Sequence, residues 1–108
     1  MPFTIEQKSS LKIVDKNNKV VEIPVGGLKE AGEHRVISKP QFKEDREERL
    51  VEFVANVEQG VIKVGVTYSI GMDGHKVQDV NVVQIPDGLE LQSSPEFETQ
   101  DCEEEDEA

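Results

Sequence analysis

The residues from Val61 to Ile70 constrain the fold of this chain more than any other part of the sequence. Apolar side chains occupy every second position of this segment, and small or polar side chains occupy the positions between. The apolar set is Ile62, Val64, Val66, Tyr68 and Ile70. Successive residues of a β-strand point to opposite faces of a sheet, so this period of two predicts a strand with one face on a core.

Turn sequences predict two hairpins, one of which contains this strand. Residues 71–74, Gly-Met-Asp-Gly, are followed by a second valine-rich run from Lys76 to Ile85, so the two runs are expected to pair. Nearer the N-terminus, two β-prone runs at 11–15 and 20–23 flank Asn17 and Asn18. Asparagine tolerates the positive φ angles of tight turns, so a hairpin is predicted there as well.

Shorter segments complete the prediction for the folded part of the chain. Residues 28–35 are charged and lack a pattern, which indicates an irregular connection, whereas Val36 to Ser38 is a candidate short strand. After the break at residues 86–88, Pro-Asp-Gly, the run from Leu89 to Leu91 is predicted as a short edge strand.

The segment 44–59 is compatible with two structures. Leu50, Phe53, Val54 and Val57 have the spacing of one helix face. Alternate residues of 51–57 equally fit a strand, with 58–60 as a three-residue loop whose glycine takes a left-handed conformation. The strand is favoured because the valines lower helix propensity. The strand gives a small antiparallel sandwich or barrel, and the alternative is an α+β domain with one helix at about 44–59.

Charge is distributed unevenly along the chain. The formal net charge is −11, yet residues 1–76 contain 12 acidic and 12 basic residues. No Lys or Arg follows Lys76, while 11 acidic residues do, and eight of these lie in the last 13 positions. A segment with so much charge and only Phe97 as a large apolar residue has little surface to bury. The sequence therefore predicts a β-rich domain at residues 1–92 and a disordered acidic tail at residues 93–108.

No catalytic or metal-binding pattern is present in the sequence. The two histidines, His34 and His75, are 41 positions apart, and neither has a cysteine or carboxylate at a zinc-ligand spacing. Cys102 lies between two acidic residues, which disfavour a reactive thiolate. We expect no cofactor, no metal and no enzymatic activity. An enzyme is the weakest alternative, and its best candidate residues would be Tyr68, Asp73 and His75.

The composition also limits which classes of partner and which cellular compartment are expected. Lys39, Lys43, Arg46 and Arg49 are interleaved with acidic residues, so direct binding to nucleic acid, which requires a basic surface, is not expected. No apolar run approaches the length of a membrane helix, and no secretory signal is visible. A single cysteine fits a reducing, cytoplasmic location better than secretion.

These observations favour a binding protein over an enzyme. The leading hypothesis is a non-enzymatic protein-binding module, a small acidic regulator or inhibitor of a basic protein, for example one that binds nucleic acid. The alternative is a structural subunit of a phage particle or secretion-type complex, with strand pairing between copies as a route to a homo-oligomer. The residues expected to bind the partner are the tail residues Glu96, Phe97, Glu98, Asp101, Glu103, Glu104, Glu105, Asp106 and Glu107.

Overall fold

The computed structural model describes residues 3–35, 47–71 and 74–101, and every regular element in these ranges is a β-strand. The described strands are β1 (Phe3–Gln7), β2 (Leu11–Asp15), β3 (Val20–Ile23), β4 (Lys29–Arg35), β5 (Glu47–Val57), β6 (Gly60–Gly71), β7 (Gly74–Gln84), β8 (Leu89–Ser93) and β9 (Phe97–Asp101). All strand pairs are antiparallel. The predicted mainly β fold is therefore confirmed.

The largest sheet has the strand order β4-β5-β6-β7 and confirms the alternation read from the sequence. In β6, Ile62, Val64 and Val66 are fully buried and Tyr68 is only 2% exposed. The corresponding face of β5 contributes Val51, Phe53 and Ala55, which lie opposite these β6 residues in the register. One face of the sheet thus supplies most of the core.

The segment 47–57 is a strand, so the alternative helix at 44–59 is wrong for the residues that the structure describes. Pairing with β6 buries Val51 and Phe53 on one face, and a helix would not place them opposite the apolar face of β6. The connecting turn is shorter than predicted. Val57 pairs with Gly60, which leaves two residues in the turn, and Gly60 has a φ of 148° that favours glycine.

The predicted hairpin between β2 and β3 is also confirmed. Asn18 has a φ of 65°, as expected for an asparagine in a tight turn. The Asp15 carboxylate accepts hydrogen bonds from the backbone N–H groups of Asn17 (2.8 Å) and Lys19 (2.9 Å). The bond from Lys19 is the main reason why the pKa of Asp15 lies below its usual value.

The predicted irregular connection at 28–35 is wrong, because residues 29–35 form β4 along the outer side of β5. Its register shifts between Glu30 and Gly32, which marks a β-bulge at Ala31. This strand has no apolar alternation and depends on the backbone of β5 for its pairing. The candidate strand at 36–38 lies outside the described residues.

The first two strands, β1 and β2, run antiparallel to the last two described strands, β9 and β8. The two segments bend together between their strands. β1 pairs with β9 and β2 pairs with β8. At the bend, the backbone N–H of Lys8 donates to the carbonyl oxygen of Glu96 (2.6 Å), and the N–H of Glu96 donates to Ser9 Oγ (2.9 Å). Strand pairing therefore continues past the predicted boundary at residue 93, because β9 spans Phe97–Asp101. Residues 102–108 of the predicted tail lie outside the described residues, and the division of the chain into a domain and a tail stays a prediction.

A single core joins these strands to the large sheet as an open β-sandwich. Leu11, Ile13 and Leu89 from the second layer lie in the same buried cluster as the inner face of β5 and β6. Phe97 of β9 is 5% exposed, and its ring centroid lies 4.8 Å from that of Phe53. The last strand is thereby attached to the middle of the sheet.

Gln7 is a buried polar residue that connects three segments. Its Nε2 donates to the carbonyl oxygens of Ser9 (2.9 Å) and Ile23 (3.3 Å), and its Oε1 accepts from the backbone N–H of Leu28 (3.3 Å). Because the side chain is only 7% exposed, these backbone groups would be left without their partner if the amide were removed.

The variant Gln7→Ala is expected to lower the free energy of unfolding by about 2 to 3 kcal/mol, because a buried amide and its hydrogen bonds are lost. Urea denaturation followed by circular dichroism measures this change. The matched control is Gln100→Ala, since Gln100 is exposed on the paired strand β9, and its effect should stay within about 0.5 kcal/mol. Equal effects of both variants would contradict a bridging role for Gln7.

Candidate partner-binding groove

A groove of about 430 Å³ lies where β7 and β9 run next to each other. No backbone ladder joins these two strands in the described part of the chain. At one end, the hydroxyl of Thr99 donates to the backbone oxygen of His75 and holds the strands together. Away from that contact, residues 77–80 of β7 and residues 95–98 line an open groove. We call it the β7–β9 groove.

The β7–β9 groove combines an apolar floor with an acidic rim. Its apolar lining comes from the buried Pro95 and Phe97 and from the partly buried Val77 and Val80. Gln78, whose Nε2 donates to Ser69 Oγ (3.0 Å), completes the β7 side. The remaining lining residues are acidic and exposed, and they are Asp79, Glu96 and Glu98. Apolar groups beneath carboxylates make this groove amphipathic.

Alternation along β9 explains this arrangement. Phe97, the first residue of β9, points into the core, whereas Glu98 of β9 and Glu96, which directly precedes the strand, are exposed. The pairing with β1 fixes this orientation, since Phe97 lies opposite Gln7 and Glu98 lies opposite Glu6. The burial of one phenylalanine therefore positions two carboxylates at the rim.

The rim carboxylates have no cationic partner among the described residues. Glu6, opposite Glu98, pairs instead with Lys8 of its own end of the chain, at 3.3 Å between Oε1 and Nζ. No described Lys or Arg forms an ion pair with Asp79, Glu96 or Glu98. Within the described ranges, no ion pair thus neutralises the three carboxylates of the groove.

Two other grooves of similar size have mixed charges. One, of about 410 Å³ between the β2–β3 turn and the start of β8, contains both Asp15 and Lys16 together with Glu90. Another, of about 440 Å³, is lined by β1 and the large sheet and contains both Glu30 and Arg49. In the latter, Arg49 Nε donates to Glu47 Oε2 at 3.1 Å. The β7–β9 groove differs from both in having charged lining of one sign.

The predicted partner-binding residues have separate structural positions. Glu96 and Glu98 lie exposed at the groove, whereas Phe97 is buried and serves as the anchor of β9. Asp101 is the last residue of β9 and pairs with Phe3. The remaining predicted residues, Glu103, Glu104, Glu105, Asp106 and Glu107, lie outside the described residues.

The sequence analysis missed five groove residues as parts of a site: Val77, Gln78, Asp79, Val80 and Pro95. The first four lie on β7, which is separated from β9 by a whole strand, β8. Asp79 belongs to the excess of acidic residues after Lys76, so the composition indicated that this part of the site would be negatively charged. Nothing in the sequence indicates that β7 and β9 lie side by side.

Two of the residues named for a catalytic alternative, Tyr68 and His75, lie near the end of the β7–β9 contact that Thr99 closes. The Phe3 ring stacks on His75, with 3.7 Å between ring centroids and 11° between ring planes. Tyr68 is buried, and its ring centroid lies 6.5 Å from that of His75. Asp73 lies outside the described residues. Within the described ranges, no group of three or more His, Cys, Asp or Glu side chains is arranged to hold a metal ion.

Comparison of the chain with protein-family models, with curated proteins and with solved structures gives no match. In the described residues, no helix has the length and apolar character needed to cross a membrane. The fold and the groove define an open antiparallel β-sandwich with an acidic edge.

Proposed function

We propose that this protein is a non-enzymatic binding module that takes up a basic segment of a partner protein in the β7–β9 groove. The observation that carries the proposal is the groove itself, an apolar floor bordered by carboxylates that no described cation neutralises. Lys and Arg have apolar stems and charged ends, so they match both parts of this surface. A role as an acidic regulator or inhibitor of a basic protein follows from such binding, and a cytoplasmic location fits the single cysteine.

The remaining acidic residues, at 103–107, also attract a basic partner in this proposal. They add negative charge beyond the groove, which accelerates the encounter with a basic partner at low ionic strength. The groove then supplies the contacts of the bound state. Electrostatic attraction of this kind is screened over about 8 to 10 Å at physiological salt, so binding should weaken as salt rises.

Neutralising the groove acids is expected to weaken binding of a basic probe about tenfold, since each exposed ion pair contributes about 0.2 to 1 kcal/mol. The triple variant is Asp79→Asn, Glu96→Gln and Glu98→Gln, and the probe is a ten-residue lysine peptide. NMR titration of isotope-labelled full-length protein measures the affinity and locates the affected amides. We expect the shifts at residues 77–80 and 96–98.

A second triple variant serves as the control for net charge. Glu58→Gln, Asp87→Asn and Glu90→Gln remove the same three charges from exposed positions outside the groove. This variant should bind the lysine peptide within about twofold of the unmodified protein, because only the long-range attraction changes. Equal weakening by both variants, or shifts confined to residues 102–108, would show that the groove is not the binding site.

Assembly by strand pairing is the second candidate, and exposed apolar side chains at sheet edges favour it. In the sheet with order β3-β2-β8, Val20 of β3 is 46% exposed and Leu91 of β8 is 41% exposed. Open edges of this kind are templates for another strand. A discrete oligomer in light scattering at micromolar concentration would support assembly, and a monomer would favour the binding module.

A further inference from the structure

The spacing of Glu96 and Glu98 specifies the form of the bound segment. Glu98 lies on β9, and Glu96, whose carbonyl oxygen accepts from the N–H of Lys8, directly precedes this strand. Both glutamates are exposed and Phe97 between them is buried, so they face the same side, about 7 Å apart for an extended backbone. An extended ligand running beside β9 has the same repeat. Its residues i and i+2 therefore point to the same side and lie opposite the two carboxylates.

The length and shape of the groove also fit an extended chain. Four residues of β7 and four residues around the start of β9 line it, and both segments are extended or lead directly into a strand. Thr99 closes one end through its bond to the backbone of His75. About four residues of an extended ligand span this length, which accommodates two outward-facing cations.

A second copy of this chain does not offer such a segment. The closest pairs of basic residues in the sequence are three positions apart, for example Lys16 and Lys19 or Arg46 and Arg49. No two of the 12 basic residues are separated by two positions. The occupant that matches the groove is therefore not a segment of this sequence.

We propose that the β7–β9 groove recognises an extended segment of another protein in which Lys or Arg residues stand at positions i and i+2. This inference rests on the proposed function and makes it more specific. The two cationic ends pair with Glu96 and Glu98, and their apolar stems lie over Phe97, Pro95 and the valines of β7. Asp79 adds attraction from the opposite rim. The recognised feature is the spacing of the charges and not only their number.

Three peptides of equal charge and composition test the spacing. Each contains two arginines among threonines, with the arginines at i and i+1, at i and i+2, or at i and i+3. NMR titration of the full-length protein is expected to give the tightest binding for the i, i+2 peptide, by at least about threefold, because only this peptide pairs both cations at once. The same order is expected for protein lacking residues 102–108.

Single variants identify the acids responsible for the preference. Glu96→Gln or Glu98→Gln should bring the three peptides to within about twofold of each other, since one matched pair is lost. Glu90→Gln, an exposed glutamate on β8, should leave the preference for i, i+2 unchanged.

The outcomes separate this inference from the proposed function. Equal affinity for all three peptides, with shifts still at the groove, would overturn the spacing rule and leave the groove as a binding site for basic segments. Absence of groove shifts with every peptide, in protein with and without residues 102–108, would overturn both. A preference that persists in Glu96→Gln and Glu98→Gln would also contradict the proposed pairing.

Discussion

Deletion of residues 96–108 is expected to abolish cooperative unfolding of this protein at 25 °C. The deletion removes the whole of β9, including five paired positions along β1 and the buried ring of Phe97. Loss of that burial alone costs about 3 to 5 kcal/mol. A small domain has only about 5 to 15 kcal/mol of stability. Urea titration monitored by circular dichroism should show a broad, low-denaturant transition or none.

A shorter deletion is the control for this experiment. Removing residues 102–108 takes away seven residues, five of them acidic, and none of the described core. The free energy of unfolding should stay within about 0.5 kcal/mol of the full chain. If both deletions leave the urea midpoint unchanged, the disordered tail predicted from the sequence at 93–108 would be the better description, and the role of β9 in the fold would be rejected.

The second large effect is expected for Phe97→Ala, which should lower the free energy of unfolding by about 3 to 5 kcal/mol. The ring is 5% exposed and packs at a tilt of 45° on Phe53. Its truncation leaves a cavity between β9 and the large sheet and removes an aromatic pair. Chemical denaturation with urea measures the change.

Leu91→Ala is the matched control for Phe97→Ala. Leu91 lies on β8, the strand that precedes β9 in the chain, and is 41% exposed. Its truncation should therefore lower the free energy of unfolding by about 1 kcal/mol or less. A loss for Phe97→Ala as small as that for Leu91→Ala would mean that β9 is not anchored through this ring. The proposed position of Glu96 and Glu98 at the groove would then lose its structural basis.

These expectations separate two properties of β9. Its inward side stabilises the sandwich through Phe97, while its outward side presents Glu98 to solvent, next to the exposed Glu96 that precedes the strand. Substitutions on the inward side should change stability, and substitutions on the outward side should change binding. Glu98 even lies opposite Glu6 in the register, a like-charge pair that is unfavourable for a strand. Replacing Glu98 by glutamine should therefore not destabilise the fold.

The sequence by itself determined the hairpins that are local in the chain. Strict alternation in β6, a glycine-containing turn and the valines of β7 are sufficient to specify one of them, and the asparagine turn between β2 and β3 specifies another. In these cases the pattern, the turn residues and the pairing partner all lie within about 25 residues. The charge imbalance after Lys76 was also a property of the sequence alone, and it indicated the sign of the candidate site.

Only the tertiary structure determines that the segments of β4 and β9 are strands. β4 lacks apolar alternation, and it is a strand because β5 offers an edge for pairing. β9 has a single large apolar residue, and it is a strand because β1, about 90 positions earlier, pairs with it while Phe53 receives its ring. The same long-range packing places Asp79 beside Glu96 and Glu98. Such contacts depend on the assembled core, so the local sequence does not encode them.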